Sequence, residues 1–404
     1  MMHREGYQHD FVSRVDACGA TVKRNLAAFS SQDWKSTSEW EESEPQNKSF
    51  FLHSFRRRTE FLDERIPELS RRLCALSERS SAERVEFKVR SVTRHQRIAC
   101  SSTTNESYKH SLIVYMTFVH EATNSLFHHE FVMCSDPPEI FLTKISEKIH
   151  FFERISRLPI VPMPSMSETV HVDGAVAATI AHEALGHLLE ADNDAMRNAV
   201  GVYVGRNITD LPLTVIDDPQ IPDSLGESKF DDEGSESIPV VLVDRGRIAG
   251  LLVDARSSRR LGLARNGRGF SAQLHNPPLA RMTNTRIAGQ AQQTWHPDDF
   301  DVSVFGSHGG VALNQDVSIG YQFGLVREGG STVGRTASGS IVAHRLDIWN
   351  WLLGIGREVA ENNNGECMKR GQLHQFVSCA SPDLVFDGCL LSNNRSELRT
   401  VKTL

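Results

Sequence analysis

Two histidines, a glutamate and an apolar helical run meet in "AATIAHEALGHLLEAD", residues 177–192. Imidazole nitrogen, thiolate and carboxylate are the donors that hold zinc in tetrahedral geometry, and a catalytic site also needs a carboxylate to take a proton from water. His182 and His187 supply the imidazoles, and Glu183 lies beside the first. In an H-E-x-x-H helix the histidines are four apart and project ~40° from each other; five apart in a regular helix they project ~140° from each other. A single π-type turn of roughly 4.4 residues brings the fifth residue back to within ~50°, and such turns recur at functional sites. Gly186, with no β-carbon, suits a widened turn. The spacing therefore predicts a helix over about 173–190 that is locally wide, or broken, between 182 and 187.

Spacing alone leaves the third ligand open. Glu190 and Asp192 are close in sequence, and Cys367, His374 and Cys379 lie far downstream in "NNNGECMKRGQLHQFVSCASPD". Two imidazoles and a thiolate form a known catalytic zinc set, and Cys367 sits in a Gly/Asn turn context suited to a ligand loop, with Cys379 competing. A second histidine group, His120 with His128 and His129, lies between strand-like flanks around a polar turn and reads as cross-strand or surface neighbours.

The elements that must position these residues fall into three stretches. Residues 1–50 are polar and read as loosely ordered. Residues 51–157 read as an α+β domain. In it, a helical stretch broken at Pro67 leads to the strands "RVEFKVRSV", "QRIACSS", "HSLIVYMTFVHE" and "LFHHEFVMCS", and a helix follows Pro137 and Pro138. After the Pro-rich "RLPIVPMPSMSE", residues 158–404 read as a β-rich domain, sandwich or barrel-like, carrying the metal-binding helix. There "VVLVDRGRIAGLLVD" predicts a hairpin turning at Asp244–Arg245–Gly246, and "IVAHRLDIWNWLLGIGREVA" predicts a helix at about 341–360.

Across 404 residues, 39% are hydrophobic and 24% charged, enough apolar content for sizeable cores. A net charge of -7 argues against nucleic acid or an anionic membrane as partner. No apolar run approaches the ~20 residues of a membrane span, and the N-terminus lacks a secretory apolar core. Seven cysteines without close pairing fit a reducing compartment. A soluble, cytoplasmic protein is expected.

"HEALGHLLEAD" resembles the H-E-x-x-x-H helix of the TldD/PmbA metallopeptidases, in particular the metal-bearing TldD subunit. The likeness continues in order through "VIDDPQIPDSLGESKFDDEG", "VLVDRGRIAGLLVDARSSRRLGL", "RNGRGFS", "PPLARMTNTRI" and "GECMKRGQ", over about 165–395. It implies His182, His187 and Cys367 as ligands to Zn2+ and Glu183 as general base, passing the proton to the leaving amine. It also implies an extended peptide held by strand addition, in a homodimer or a heterodimer with a metal-free homologue. Asp231, Asp232, Glu233, Gly234, Arg281, Thr283 and Asn284 are then the candidates to lie beside the peptide.

Met368 stands where the family has glycine, and "FGSHGGVALNQD" departs from its Gly-rich strand. Such divergence suits a zinc peptidase of small or unfolded peptides that matures or trims one peptide in a biosynthetic pathway. The alternatives are a zinc enzyme of non-hydrolytic chemistry in a natural-product pathway and a non-catalytic assembly subunit. The retained Glu183 favours catalysis, because a structural site has no use for a base.

Overall fold

A computed structural model describes residues 11–16, 19–21, 65–80, 84–99, 104–120, 123, 125–133, 138–164, 167–193, 203–271, 276–288, 296–359 and 363–391. Most of the polar stretch 1–50, expected to be loosely ordered, lies outside them, but within it Phe11–Asp16 and Gly19–Thr21 are paired strands, the first of them also joined to Arg84–Ala99. The first sheet has five strands in the order Gly19–Thr21, Phe11–Asp16, Arg84–Ala99, Thr104–His120, Ser125–Met133. The segments expected as separate strands at 84–92 and 96–102 form one long strand, Arg84–Ala99, paired throughout with Thr104–His120.

Alternation buries Val85, Phe87 and Val89 on one strand and Leu112, Val114, Met116 and Phe118 on the next. Helices α1 (Arg65–Arg79) and α2 (Pro138–Ser156) share that core. The first buries Leu69 and Leu73; the second buries Phe141, Leu142, Ile145, Ile149 and Phe152, a helical stripe. Pro67 does not break α1, because it falls in the first turn, where an amide N–H has no intrahelical acceptor.

Two large sheets and a two-stranded one, Gly269–Phe270 with Leu279–Ala280, make up the β-rich half, and among the described residues none closes into a barrel. The second has seven strands: Ser331–Arg335, Asp316–Glu328, Val302–Leu313, Thr169–Val172, Pro382–Asp387 and Leu352–Val359 in that order, with Gly339–His344 also paired to Asp316–Glu328. The third has six, in the order Asn363–Lys369, Gln372–Ala380, Asn284–Ala288, Thr214–Asp217, Val240–Asp244, Arg247–Ile248. The expected hairpin turns at Arg245 (φ 45°) and Gly246 (φ 83°), the left-handed pair that a two-residue hairpin requires. Among the described residues no helix is long and apolar enough to cross a membrane.

One expected helix is absent. Residues 341–360 form the strand Gly339–His344, a short 3-10 segment Asp347–Trp351, and the strand Leu352–Val359. Apolar content misleads here: burial follows period two, with Ile341 and Ala343 buried and Val342 exposed between them, and likewise Leu352 buried and Leu353 exposed.

The first sheet's core is not closed on itself. Phe323 and Leu325 from the second sheet enter it, and Phe323 meets Phe127 edge-on at 5.3 Å between ring centroids. Aromatic pairs of this kind are worth about 0.5–1.5 kcal/mol beyond area burial, and they seat the amino-terminal sheet against the β-rich half.

Candidate metal centre

Helix α3 (Gly174–Ala181) packs against strands of both the second and third sheets. Its sequence, Gly-Ala-Val-Ala-Ala-Thr-Ile-Ala, is built of small residues that let two sheets approach one helix. Asp173 caps it: Oδ1 accepts from the Val176 amide at 2.9 Å and Oδ2 from the Gly306 amide at 2.9 Å. A π turn, His182–Gly186, follows directly, and the His187 amide donates to the His182 carbonyl at 3.1 Å. The widened turn that the five-residue spacing requires is therefore present. It sets the two imidazoles 5.0 Å apart between centroids with their planes at 84°. A β-carbon at Gly186 would lie 1.9 Å from Met282 Sδ, so packing there demands glycine.

Cys367 reaches this pair from the strand Asn363–Lys369, an edge of the third sheet. Its Sγ stands 3.5 Å from His187 Nε2, and the donor atoms of His182, His187 and Cys367 all lie within 4.8 Å of one another. Tetrahedral zinc with bonds of about 2.0–2.3 Å spans ligand-to-ligand edges of roughly 3.3–3.7 Å, so the set fits such an ion. Cys379, the competing candidate, lies on the neighbouring strand opposite Asn363 and Thr285 and does not join the cluster. Nor does Glu190 or Asp192.

Those two carboxylates form a supporting layer instead. Glu190 Oε2 lies 3.1 Å from His187 Nδ1 and accepts from Lys369 Nζ at 2.9 Å. A carboxylate can only accept, so it fixes the proton on Nδ1 and turns Nε2 toward the site. Lys369 also pairs with Asp192 and donates to the Ala280 carbonyl at 2.7 Å. Arg281 Nη2 donates to the Cys367 carbonyl at 2.6 Å, bracing the ligand strand.

Electrostatics follow from this packing. Burial disfavours a charged Cys367, yet the imidazoles of His187 and His182 outweigh it and hold the thiol down at about 5. Burial likewise opposes charge on His187, but Cys367 and Glu190 raise its pKa well above the usual value. For Glu190, burial is overcome by Lys369 and His187, which bring it to about 2. His182 Nδ1 is buried with no hydrogen-bond partner, an orphaned polar atom on one of the three donor residues.

Glu183 lies beside the donors, its Oε2 3.9 Å from His187 Nε2. A β-carbon at Gly310 would come within 2.6 Å of Glu183 Cγ, so the glycine on the strand Val302–Leu313 leaves the space that carboxylate occupies. The cluster opens onto a cavity of about 1590 Å³. Its walls include His128 and Glu130 of the first sheet, Phe151 of α2, His308, and the exposed Met368 beside the thiol.

The remaining sequence candidates sit elsewhere; none of the seven lines this cavity. Asp231 accepts from the amides of Glu233, Ser235 and Gly269, and Asp232 from that of Ser271. Glu233 accepts from the Ala255 amide, and Gly234 adopts φ 79° in the same loop. Thr283 Oγ1 donates to Asp217 at 2.7 Å, and Asn284 Nδ2 donates to the Asp218 carbonyl at 2.7 Å. Most of these polar groups hold neighbouring backbone or Asp217, while Asn284 Oδ1 and Arg281 Nε and Nη1 are buried without a partner. Glu190, a candidate third ligand by proximity, acts instead as a support with Lys369, in keeping with its place three residues after His187, one helical turn away. Arg345, whose Nη2 donates to the Glu183 carbonyl at 3.4 Å, carries no local sequence signal at all.

Residues 165–393 match the family described as the PmbA/TldA metallopeptidase C-terminal domain. A metalloprotease of Archaeoglobus fulgidus is 31% identical over 240 residues, 55% of this chain and 52% of that protein. A zinc metalloprotease TldD homologue of Saccharolobus solfataricus is 34% identical over 116 residues, 27% of this chain and 25% of that protein. The chain thus spans about half or less of the length of these relatives. TldE from Thermococcus kodakarensis shares the fold, with a TM-score of 0.65 over 94% of this chain and 93% of that one at 14% identity. Family match, relatives and fold agree: the chain belongs to the TldD/PmbA family.

Proposed function

We propose that this protein is a zinc-dependent peptidase that hydrolyses peptide bonds in small or unfolded peptides. The observation that carries the reading is the placement of Glu183 Oε2 3.9 Å from a candidate ligand nitrogen, in a buried cluster open to a large cavity. His182, His187 and Cys367 would hold the ion. Zinc bound there supplies a Lewis acid that polarises a peptide carbonyl and makes water acidic enough to react near neutral pH.

The chain's own residues do the rest. Glu183 takes the proton from the attacking water and delivers it to the leaving amine, a role worth about 10²–10⁴ in rate. Glu190 keeps His187 in the tautomer that presents Nε2, and Lys369 neutralises Glu190 behind it. Gly310 keeps the space that lets the Glu183 side chain stand beside the donors.

The test measures zinc per chain and cleavage of an unstructured peptide by the native protein and by Glu183→Gln. One zinc per chain in both, with cleavage in the variant reduced about a hundredfold or more, is the expected result. Equal cleavage by the two proteins ends the proposal.

A further inference from the structure

Most of the buried arginines are matched. Arg268 pairs with Asp217 at 2.8 Å, Arg327 with Asp298 at 2.7 Å, and Arg335 bonds Ser125 and lies over the ring of Phe127. Arg281, which also has unpartnered nitrogens, is fully buried away from the cavity behind the Cys367 strand. Arg345 differs from all of these. It is 3% exposed and lines the cavity, and it forms no ion pair among the described residues. Its guanidinium makes a single hydrogen bond, the 3.4 Å contact to the Glu183 carbonyl, and its Nε has no partner.

A buried guanidinium costs free energy unless an anion meets it. Burial disfavours the Arg345 charge, and Glu183, Glu190 and Asp316 oppose this only from beyond ion-pair reach, Glu190 being held by His187 and Lys369. Glu183 Oε2 lies 3.9 Å from His187 Nε2, and Glu183 hydrogen-bonds Arg345 through its backbone carbonyl, its carboxylate acting on the guanidinium at longer range. The free edge of the fork is therefore available to something entering the cavity.

We propose that Arg345 receives the C-terminal carboxylate of a peptide substrate, so that the site works near the free end of a chain rather than in its middle. The inference rests on the peptidase reading and adds the substrate's end group to it. Arg345 holds the carbonyl of the residue that follows the ligand His182. A group bound to it shares one cavity with the donor cluster. A carboxylate takes two parallel N–H donors of a guanidinium, whereas a neutral amide supplies neither the charge nor the geometry. The hairpin turn at Asn314 and Gln315 lines the same wall, and the Arg345 amide is anchored on the Gln315 carbonyl at 2.8 Å, so the backbone below the side chain is fixed.

The experiment uses the full-length, zinc-loaded Glu183→Gln protein, which keeps the ligands and slows turnover. Binding of one N-terminally labelled pentapeptide is followed by fluorescence anisotropy, as the free acid and as the C-terminal amide. The acid is expected to bind at least about tenfold more tightly. In Glu183→Gln/Arg345→Gln that preference disappears, while zinc content and the far-UV spectrum stay unchanged. Equal binding of acid and amide before Arg345 is altered overturns the inference, and so does no detectable binding of either. A preference that survives Arg345→Gln overturns it too, because the carboxylate then sits on the ion. Should the double variant fail to fold, the acid-to-amide ratio in Glu183→Gln, set against that of an Arg345→Lys version, decides the matter: a ratio unchanged by lysine rejects the assignment. A native protein that prefers free acids yet cleaves nothing would keep this inference and lose the peptidase reading.

Discussion

Replacing Gly186 by alanine tests the premise that packing, as well as hydrogen bonding, holds the widened turn. The new methyl carbon would lie 1.9 Å from Met282 Sδ, 3.1 Å from its Cε and 3.3 Å from its Cγ. Ordinary contact is about 3.5–4.0 Å, so the sulfur must retreat by roughly 1.5–2 Å in a fully buried side chain. Overpacking of this kind costs about 1–3 kcal/mol, and removing a helical glycine returns about 0.5–1 kcal/mol, leaving a net loss near 1–2 kcal/mol. His187 is the next residue, so displacement of the turn also separates Nε2 from Cys367 Sγ, and zinc binding weakens about tenfold or more. Denaturant unfolding of the metal-free protein measures the first effect, and zinc titration against a chromophoric chelator measures the second. Met282→Ala alone loses about 2–5 kcal/mol through its cavity. Adding Gly186→Ala to it costs less than in the native background, since the methyl enters the vacated space. A Gly186→Ala protein with native stability and native zinc affinity would refute the packing argument.

Glu190→Gln leaves His187 Nδ1 without its carboxylate, and zinc affinity falls about 10–100-fold in the same chelator assay while the fold is kept. Against burial, Cys367 and Glu190 favour a proton on His187, and the Cys367 thiol takes one up below about pH 5, so zinc binding releases protons in a number that rises as pH falls through about 5. Calorimetry in two buffers of different ionisation enthalpy reads that number, and a release that stays level across that range contradicts it. Glu130 is raised to about 8, first by burial and then by Glu366. Its folded-state value exceeds the unfolded one of 4.5, so its contribution is full below about pH 4.5 and fades as pH climbs to about 8. Glu130→Gln should flatten the decline of Tm across that window; an unchanged slope would show that Glu130 does not titrate there.

What the sequence discloses here depends on how local the governing physics is. The π turn was readable because only a widened turn reconciles a five-residue spacing with one ion, and the hairpin at Asp244–Gly246 because few residue pairs tolerate two left-handed conformations. Residues 341–360 mislead because a run of apolar side chains looks alike in a helix and in strands, until a neighbouring strand decides which alternate residues it covers. The choice between Cys367 and Cys379 is a question of register, four residues along adjacent strands, and no local feature settles it. The segments at 231–234 and 281–284 have the polar composition of a binding surface, but Asp231, Thr283 and Asn284 face inward on backbone and on Asp217. Arg345 lies 162 positions from the carbonyl it holds, beyond the reach of any periodicity.

The cysteine donor comes from the outermost strand of the third sheet, 180 positions along the chain from His187. Outermost strands present unpaired amides that invite foreign strands. An ion gripping both segments would therefore act as a rivet, closing a long loop and pinning that margin in place. Starved of metal, the protein would lose more than turnover: fraying would begin at 363–369, and the loosened border would become the point where copies of the chain adhere to one another.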